Sequence, residues 1–561
     1  FALFGLNFPD GKQYENNVLI FIAAISAVLS IFLIAVVFFL RGLFEKQYIK
    51  KILSSEHSLI IGLGEISRSY LNNIHLETNT EQISKLLIIE RDPTNRYIDE
   101  YREKGFSVLV GDILSQSIQK EMRYENLINV LIAIGDDRHN IELSKHLIDN
   151  YNAENAIKIV IHIQNKDLEI LYHSTILHEN SKRIHIKTFS YYEEVARDLF
   201  SKHFIDGDSL TYINSNKEFK TVLLGNGTLI EHILYQMALV SHLPYENNHK
   251  IYLIDKDAQS IFLKVKKSLY YKSQQESFPN FEIIPMSLDQ DTLAFFENSI
   301  WYEENIVNVI VAFDEEKENL DATIELYNRV YLQHSIDDAC MPKILFAIYD
   351  ELLLSDIVNT NTEHFNNFYT FGNVKDTLSS TNLIDEQNDL LGKLIHYNYD
   401  GFLDGDDKVF NKSKLVNYKQ NPISFQSIED KWYQTSSFND KLSSIAQARL
   451  IDLKLKILGL KKEKDTNHTS TKNLLIKNRE IFDSKLDFTF TGSYDFPEEF
   501  DSLVFKRLIR QEHNRWNSFH YLNGFKYSPI KSKLKKEHNC LLPIGDFNND
   551  DIKASIVYDI Y

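Results

Sequence analysis

The stretch HSLIIGLGEISRSY, His57 to Tyr70, decides the fold. It reads as a short apolar strand, Leu59 to Ile61, a turn through Gly62 and Gly64, and a helix bearing Arg68, Tyr70 and Leu71. Such a turn lets backbone amides at a helix N-terminus face a phosphate. A second apolar run, KLLIIE, ends at Glu90, whose carboxylate can accept hydrogen bonds from ribose hydroxyls, so the outline is that of a dinucleotide fingerprint. Two departures mark it. Ser67 stands in the place of the third glycine, and Glu90 lies farther along than the usual twenty or so residues. VLVGDIL, Val108 to Leu114, supplies a third strand whose turn holds Gly111 and Asp112; that carboxylate either faces the same crevice or simply ends the strand.

The pattern recurs. TVLLGNGTLIEHIL places Gly225 and Gly227 after a strand, with Ile230 in the third position, and IYLIDKD ends a strand at Asp255. Downstream, VLIAIGDDRHN (Val130 to Asn140) is matched by VIVAFDEEKEN (Val309 to Asn319): in each an apolar strand runs into an acidic cluster and reaches Asn at the same spacing. An internal repeat changes the fold expectation from one unit to two tandem lobes. Alternating strands and helices imply parallel sheets covered on both faces, an α/β class, with ligands outside the carboxyl ends of the strands.

Length and charge bound the rest. A chain of 561 residues needs several cores, and 61 basic against 79 acidic residues, net −18, oppose a phosphate backbone, so nucleic acid is not an expected partner. Two cysteines, Cys340 and Cys540, make neither a disulfide framework nor a zinc site. The run VLIFIAAISAVLSIFLIAVVFFL, Val18 to Leu40, carries no charge over 23 residues. At roughly 1.5 Å per residue it is long enough to span a hydrocarbon core of about 30 Å, so a transmembrane helix is expected there and residues 1–45 form a membrane segment. A core helix rarely stays apolar on every face for so long, and the apolar part of a signal peptide is shorter. Arg41, Lys46, Lys50 and Lys51 follow the run, whereas Asp10 and Glu15 accompany Lys12 before it. The positive-inside rule then puts the bulk of the chain in the cytoplasm, on an inner membrane crossed by a single visible pass. The sequence opens on Phe1 rather than Met, so a longer chain with further membrane helices upstream stays open.

With these motifs in order, GLGEIS, LLIIERD, VLVGDIL and IAIGDDRHN resemble the RCK domain, the regulator of potassium conductance, also called the Trk-type N-terminal nucleotide-binding domain. The second copy resembles a degenerate lobe of the same kind; the lobes are expected over residues 55–210 and 218–355. The resemblance implies a Rossmann fold, binding of NAD(H), ATP, ADP or another nucleotide, pairing of lobes, and control of an ion pathway. By the same resemblance Gly62, Gly64, Glu90, Asp112 and Asp136 would line the first site, with Gly225, Gly227 and Asp255 at the second.

From about residue 355 the alternation fades into polar stretches with helical periodicity. LLGKLIHYNY (Leu390 to Tyr399) sets His396 three before Tyr399, and LIRQEHNRW (Leu508 to Trp516) sets His513 three before Trp516, so each pair of rings shares a helix face. These segments and those following them resemble the ryanodine-receptor-type RyR repeat, a small helical module expected over residues 380–561, the copy with Glu512, His513, Arg515, Trp516, Gly524 and Tyr527 being the better match. The aromatics read either as core or as a pocket in which Arg515 and Trp516 hold a planar, anionic ligand, with His513 serving that pocket or a buried carbonyl. KLKKEH, Lys533 to His538, reads as a solvated basic face, and the polar segment near 461–480 as a linker.

The expectation is therefore a non-enzymatic, membrane-tethered nucleotide sensor that gates an ion pathway, potassium by resemblance. It would work as a homo-oligomer, a tetramer, because one spanning helix cannot enclose a pore. A short linker behind the membrane helix would transmit lobe motion. The rivals are a defence effector whose C-terminal module senses a nucleotide second messenger, and a nicotinamide-dependent oxidoreductase, for which no acid/base pair accompanies the glycine turns.

Overall fold

The computed structural model describes residues 17–77, 80–151, 153–176, 183–203, 218–243, 249–267, 269, 281–303, 305–327, 342–349, 367–398, 403–404, 409–410, 425–434, 437–457 and 502–543. Helix α1 (Asn17–Leu53) carries the apolar run and continues unbroken for 37 residues. No proline interrupts it, and Lys50 and Lys51 in its last turn suit the negative end of the helix dipole. Its final carbonyls are met by hydroxyls: Ser54 Oγ donates to Lys51 O at 2.8 Å and Ser55 Oγ to Ile52 O at 3.1 Å. Ile49, Ile52 and Leu53 are buried in the core of the first lobe. The stretch expected as a short linker is thus helical through Leu53, and only Ser54, Ser55 and Glu56 separate the rod from β1.

Along α1 every residue from Ile25 to Leu33 is exposed, on all faces of the helix. Most other side chains of the Val18–Leu40 run lie outside the described residues, and among those described no helix is long and apolar enough to cross a membrane.

The first lobe is a six-stranded parallel sheet of β1 (His57–Ile61), β2 (Leu86–Glu90), β3 (Ser107–Val110), β4 (Leu127–Ile132), β5 (Ile157–His162) and β6 (Ile184–Phe189), ordered β3-β2-β1-β4-β5-β6. This is the doubly wound order of dinucleotide-binding folds. β2 is buried along its whole length, as its unbroken apolar LLII requires of a strand covered on both faces. The helices that bear on the site are α2 (Glu65–Glu77), α3 (Asp137–Asn150), α4 (Lys166–Ile176) and α5 (Tyr191–Lys202).

The second lobe comprises β7 (Phe219–Leu224), β8 (His249–Asp255), β9 (Phe281–Ser287), β10 (Ile306–Val311), β11 (Lys343–Ala347) and β12 (Phe368–Phe371), again parallel and ordered β12-β11-β10-β7-β8-β9. Counted from β7, this is the first lobe's order. β12 lies beyond residue 355, where the second lobe was expected to end; the strand is only FYTF and carries no glycine turn or acidic cluster to announce it. Helices α6 (Thr228–Val240) and α7 (Glu316–Glu325) follow β7 and β10.

The lobes interlock. α5, which follows the last strand of lobe one, buries Val195, Ala196 and Leu199 in the core of lobe two. The chain then returns: Leu378 and Leu383 sit in lobe one's core, and Asn73 Nδ2 donates to Val374 O at 2.9 Å and Leu378 O at 3.2 Å.

Among the described residues the C-terminal part has the helices α8 (Leu390–Asn398), α9 (Phe425–Gln434), α10 (Phe438–Ile457) and α11 (Ser502–Leu522), with two short strand pairs, Leu403–Asp404 with Val409–Phe410 and Lys526–Tyr527 with Glu537–His538. It docks on the β5–β6 edge of lobe one through buried charge. Glu386 pairs with Lys158 at 2.8 Å and Lys393 at 3.0 Å, and Asp389 with Lys187 at 3.2 Å and with Arg197. Burial opposes ionisation of Glu386, but Lys393, Lys187 and Lys158 outweigh it and hold the carboxyl down at about 2. Tyr399 and the segment near 461–480 lie outside the described residues.

Candidate functional site

The crevice at the carboxyl ends of β1 and β4 is built around Gly62. Its φ is +87°, and a Cβ there would stand 2.5 Å from Ile134 Cγ2, so both backbone and space call for glycine. Gly64 is less constrained, since a Cβ would meet Ala133 O at an ordinary 3.5 Å. Ser67 is buried and donates from Oγ to the same Ala133 O at 3.3 Å. A hydroxyl with an acceptor thus replaces the third glycine, and helix α2 still packs closely on β4.

Glu90 is buried at the end of β2 and grips the glycine turn itself. Its Oε2 accepts from Leu63 N at 2.8 Å and from Asn95 Nδ2 at 3.2 Å, and its Oε1 accepts from Asp92 N at 2.8 Å. A carboxylate offers about four acceptor positions, which leaves little beyond this clamp for a ribose. Beside it the Arg68 guanidinium lies 3.8 Å from the Tyr97 ring centroid. Asn95 and Tyr97 were not singled out in the sequence; the signal was their place directly after the acidic strand end.

Asp112 and Asp136, expected to line the site, each make a local backbone contact. Asp112 Oδ1 accepts from Leu114 N at 2.9 Å, the turn that ends β3. Asp136 caps α3 by accepting from His139 N at 3.0 Å, a bond that holds its carboxyl below the usual range.

The repeated asparagines have a shared function that explains their spacing. Asn140 Oδ1 accepts from Ile134 N at 3.0 Å, and Asn319 Oδ1 accepts from Phe313 N at 2.6 Å, each bracing the loop behind the fourth strand of its lobe. The acidic residues three positions before them tie that loop to the next strand: Asp137 accepts from Gln164 N at 2.9 Å, Glu316 from Tyr349 N at 2.8 Å.

The glycine turn of lobe two is occupied from within. Asp314 Oδ2 accepts from Thr228 N at 2.8 Å and its Oδ1 from Leu229 N at 2.9 Å, the two amides that open α6. Gly227, at φ +88°, is needed because any Cβ would overlap this carboxylate, and Gly225 because a Cβ would overlap Ala312 O. Asp255 is placed like Glu90: Oδ1 accepts from Asp257 N at 2.8 Å, and Oδ2 from Asn226 Nδ2 at 3.0 Å. Of the three residues expected to bind a cofactor here, Gly227 thus lies against the protein's own carboxylate, Gly225 against the Ala312 carbonyl, and Asp255 holds the turn through Asn226.

The C-terminal pocket expected around Arg515 is not open. Arg515 is 2% exposed, donates from Nε to Glu512 Oε1 at 2.7 Å, and shares that carboxylate with Lys454 at 2.5 Å. Position i+3 on α11 puts the guanidinium straight onto Glu512, and burial fixes the pair. His513 is hydrogen-bonded through Nε2 to Leu542 O at 2.7 Å, the carbonyl alternative, and Trp516 packs 4.0 Å from the His520 ring and 4.8 Å from that of His538. Burial holds His520 at about 3 and His538 at about 4, so these two rings are neutral at physiological pH.

No curated protein matches the chain. Among solved structures it is similar to a GsuK mutant at 13% identity, with 69% of this chain and 87% of that one covered and a TM-score of 0.37. GsuK bound to ADP matches at 13% identity over 67% and 84%, TM-score 0.36, and the GsuK channel bound to NAD at 12% over 62% and 66%, TM-score 0.37. Residues 58–178, from β1 to the end of α4, match the TrkA-N domain.

Proposed function

We propose that the chain is a membrane-tethered regulator in which a nucleotide at the Gly62 turn, NAD(H) or an adenine nucleotide, changes the bearing of α1 and so gates an ion pathway, potassium by the channel relation. The observation that carries this reading is α1 itself: apolar and exposed at Ile25–Leu33, yet seated in lobe one's core by Ile49, Ile52 and Leu53. Left in water, such a surface is unfavourable by about 25 cal/mol per Å² of apolar area, which a bilayer removes. Contact with the site is short. Glu45 on α1 pairs at 2.8 Å with Arg102, on the helix Tyr97–Glu103 that starts beside the Glu90 clamp. A ligand that reshapes the clamp moves that helix against the rod, with only three residues between rod and β1 to absorb the motion. The protein acts by binding rather than catalysis, as a homo-oligomer, since a single rod encloses no pore.

The effector reading in which the C-terminal module receives a messenger is not favoured, because Arg515 is already committed to Glu512.

The test reconstitutes the full chain in liposomes and follows potassium flux with and without NAD or ADP. Glu90→Ala is expected to weaken nucleotide binding about tenfold or more by loosening the turn, whereas Glu45→Ala should retain binding and lose the flux response. Flux indifferent to nucleotide in the wild type overturns the reading.

A further inference from the structure

The second lobe has the architecture of a nucleotide site and a carboxylate in the place of the phosphate. We propose that Asp314 is the residue that closes lobe two to phosphate ligands, so that the chain takes one nucleotide and not two.

Two independent features support this. First, the carboxylate makes the contacts a phosphate oxygen would make: it accepts from both amides that open α6, at 2.8 and 2.9 Å, and lies against Gly227, where any side chain is excluded. The positive end of α6 is thereby neutralised, and a second anion would meet a charge of its own sign. Second, the repeat gives an internal control. Aligning Val130 with Val309 sets Gly135 opposite Asp314. A Cβ on Gly135 would have nothing within 4 Å, so lobe one has open space where lobe two has a carboxylate. Among the described residues no side chain accepts from the amides of Glu65 and Ile66, which correspond to Thr228 and Leu229. The same scaffold therefore appears with its anion seat empty and with it filled, and one side chain makes the difference. Because the filled seat does not depend on nucleotide concentration, lobe two keeps one conformation while lobe one responds.

The proposal rests on the reading that lobe one takes a nucleotide, and the experiment separates the two. ADP is titrated into the detergent-solubilised full chain by calorimetry, for the wild type and for Asp314→Gly, which copies Gly135. One equivalent per chain is expected for the wild type and two for the variant, with faster hydrogen exchange at the Thr228 and Leu229 amides of the variant before ADP is added. Asp314→Asn, which refills the space without the charge, should stay at one. Two equivalents in the wild type, or no gained equivalent in Asp314→Gly, overturn the proposal. A wild type that binds none while the variant binds one overturns the lobe-one reading and supports this one. If Asp314→Gly fails to fold, Asp314→Ser is judged by the same count.

Discussion

The two lobes share strand order, a bracing asparagine and an acid that ties the fourth-strand loop to the fifth strand, yet they differ in what surrounds them. Lobe one is coupled outward: α1 enters its core, Glu45 reaches Arg102, and there is open space at Gly135, where lobe two has Asp314. Lobe two is coupled inward. Its turn is filled by Asp314, α5 from lobe one lies in its core, and α11 leans on it with Gln511 donating to His242 O. On the proposed reading, one lobe would change state and the other would give it something fixed to move against. A gating motion requires that pairing, because a ligand shifts an equilibrium only through contacts that differ between two states.

The strongest challenge to this contrast comes from the module that braces lobe two. Arg515→Ala leaves the buried Glu512 with Lys454 alone, and removing one partner from a buried charge group costs about 3 kcal/mol or more. Thermal denaturation should show a large loss of stability with first-lobe nucleotide binding kept in the folded fraction; an unaffected melting temperature would return Arg515 to the role of ligand-binding residue. The glycine turns offer a paired test. Gly225→Ala drives a Cβ into the Ala312 carbonyl and should destabilise by about 2 kcal/mol without altering nucleotide stoichiometry. Gly62→Ala should instead abolish nucleotide binding, and equal effects of the two substitutions on binding would erase the distinction between the lobes. The smallest effect concerns the joint at the β5–β6 edge. Glu386 is lowered from its ordinary 4.5 to about 2, so its contribution is complete above pH 4.5 and is lost as pH falls toward 2. Stability should decline by on the order of 1 kcal/mol by pH 4, and Glu386→Gln should flatten that slope in acid unfolding curves.

Much of the fold was legible because parallel strands buried on both faces must be written as apolar runs, and two such series with glycine turns at matched places leave little choice of topology. The Val130–Asn140 and Val309–Asn319 segments even signalled their shared hydrogen bonds through spacing. The site was less legible. Asp112 and Asp136 look like ligand carboxylates in a string of letters, but which acid caps a turn depends on the amides nearby. Arg515 and Trp516 misled for the same reason: a guanidinium and an indole serve a pocket or a core equally well, and only neighbours brought from α10 and the segment at Leu542 decide.

Sequence by itself determined the two α/β lobes and the apolar rod ahead of them, since periodicity and glycine placement are local properties of the chain. Tertiary structure decided that only three residues separate the rod from β1, that β12 completes the second sheet, and that Asp314, 86 residues from Thr228, occupies the second anion seat. These depend on which distant groups meet once the strands are ordered, and a hydrogen bond between residues so far apart leaves no mark in either local pattern.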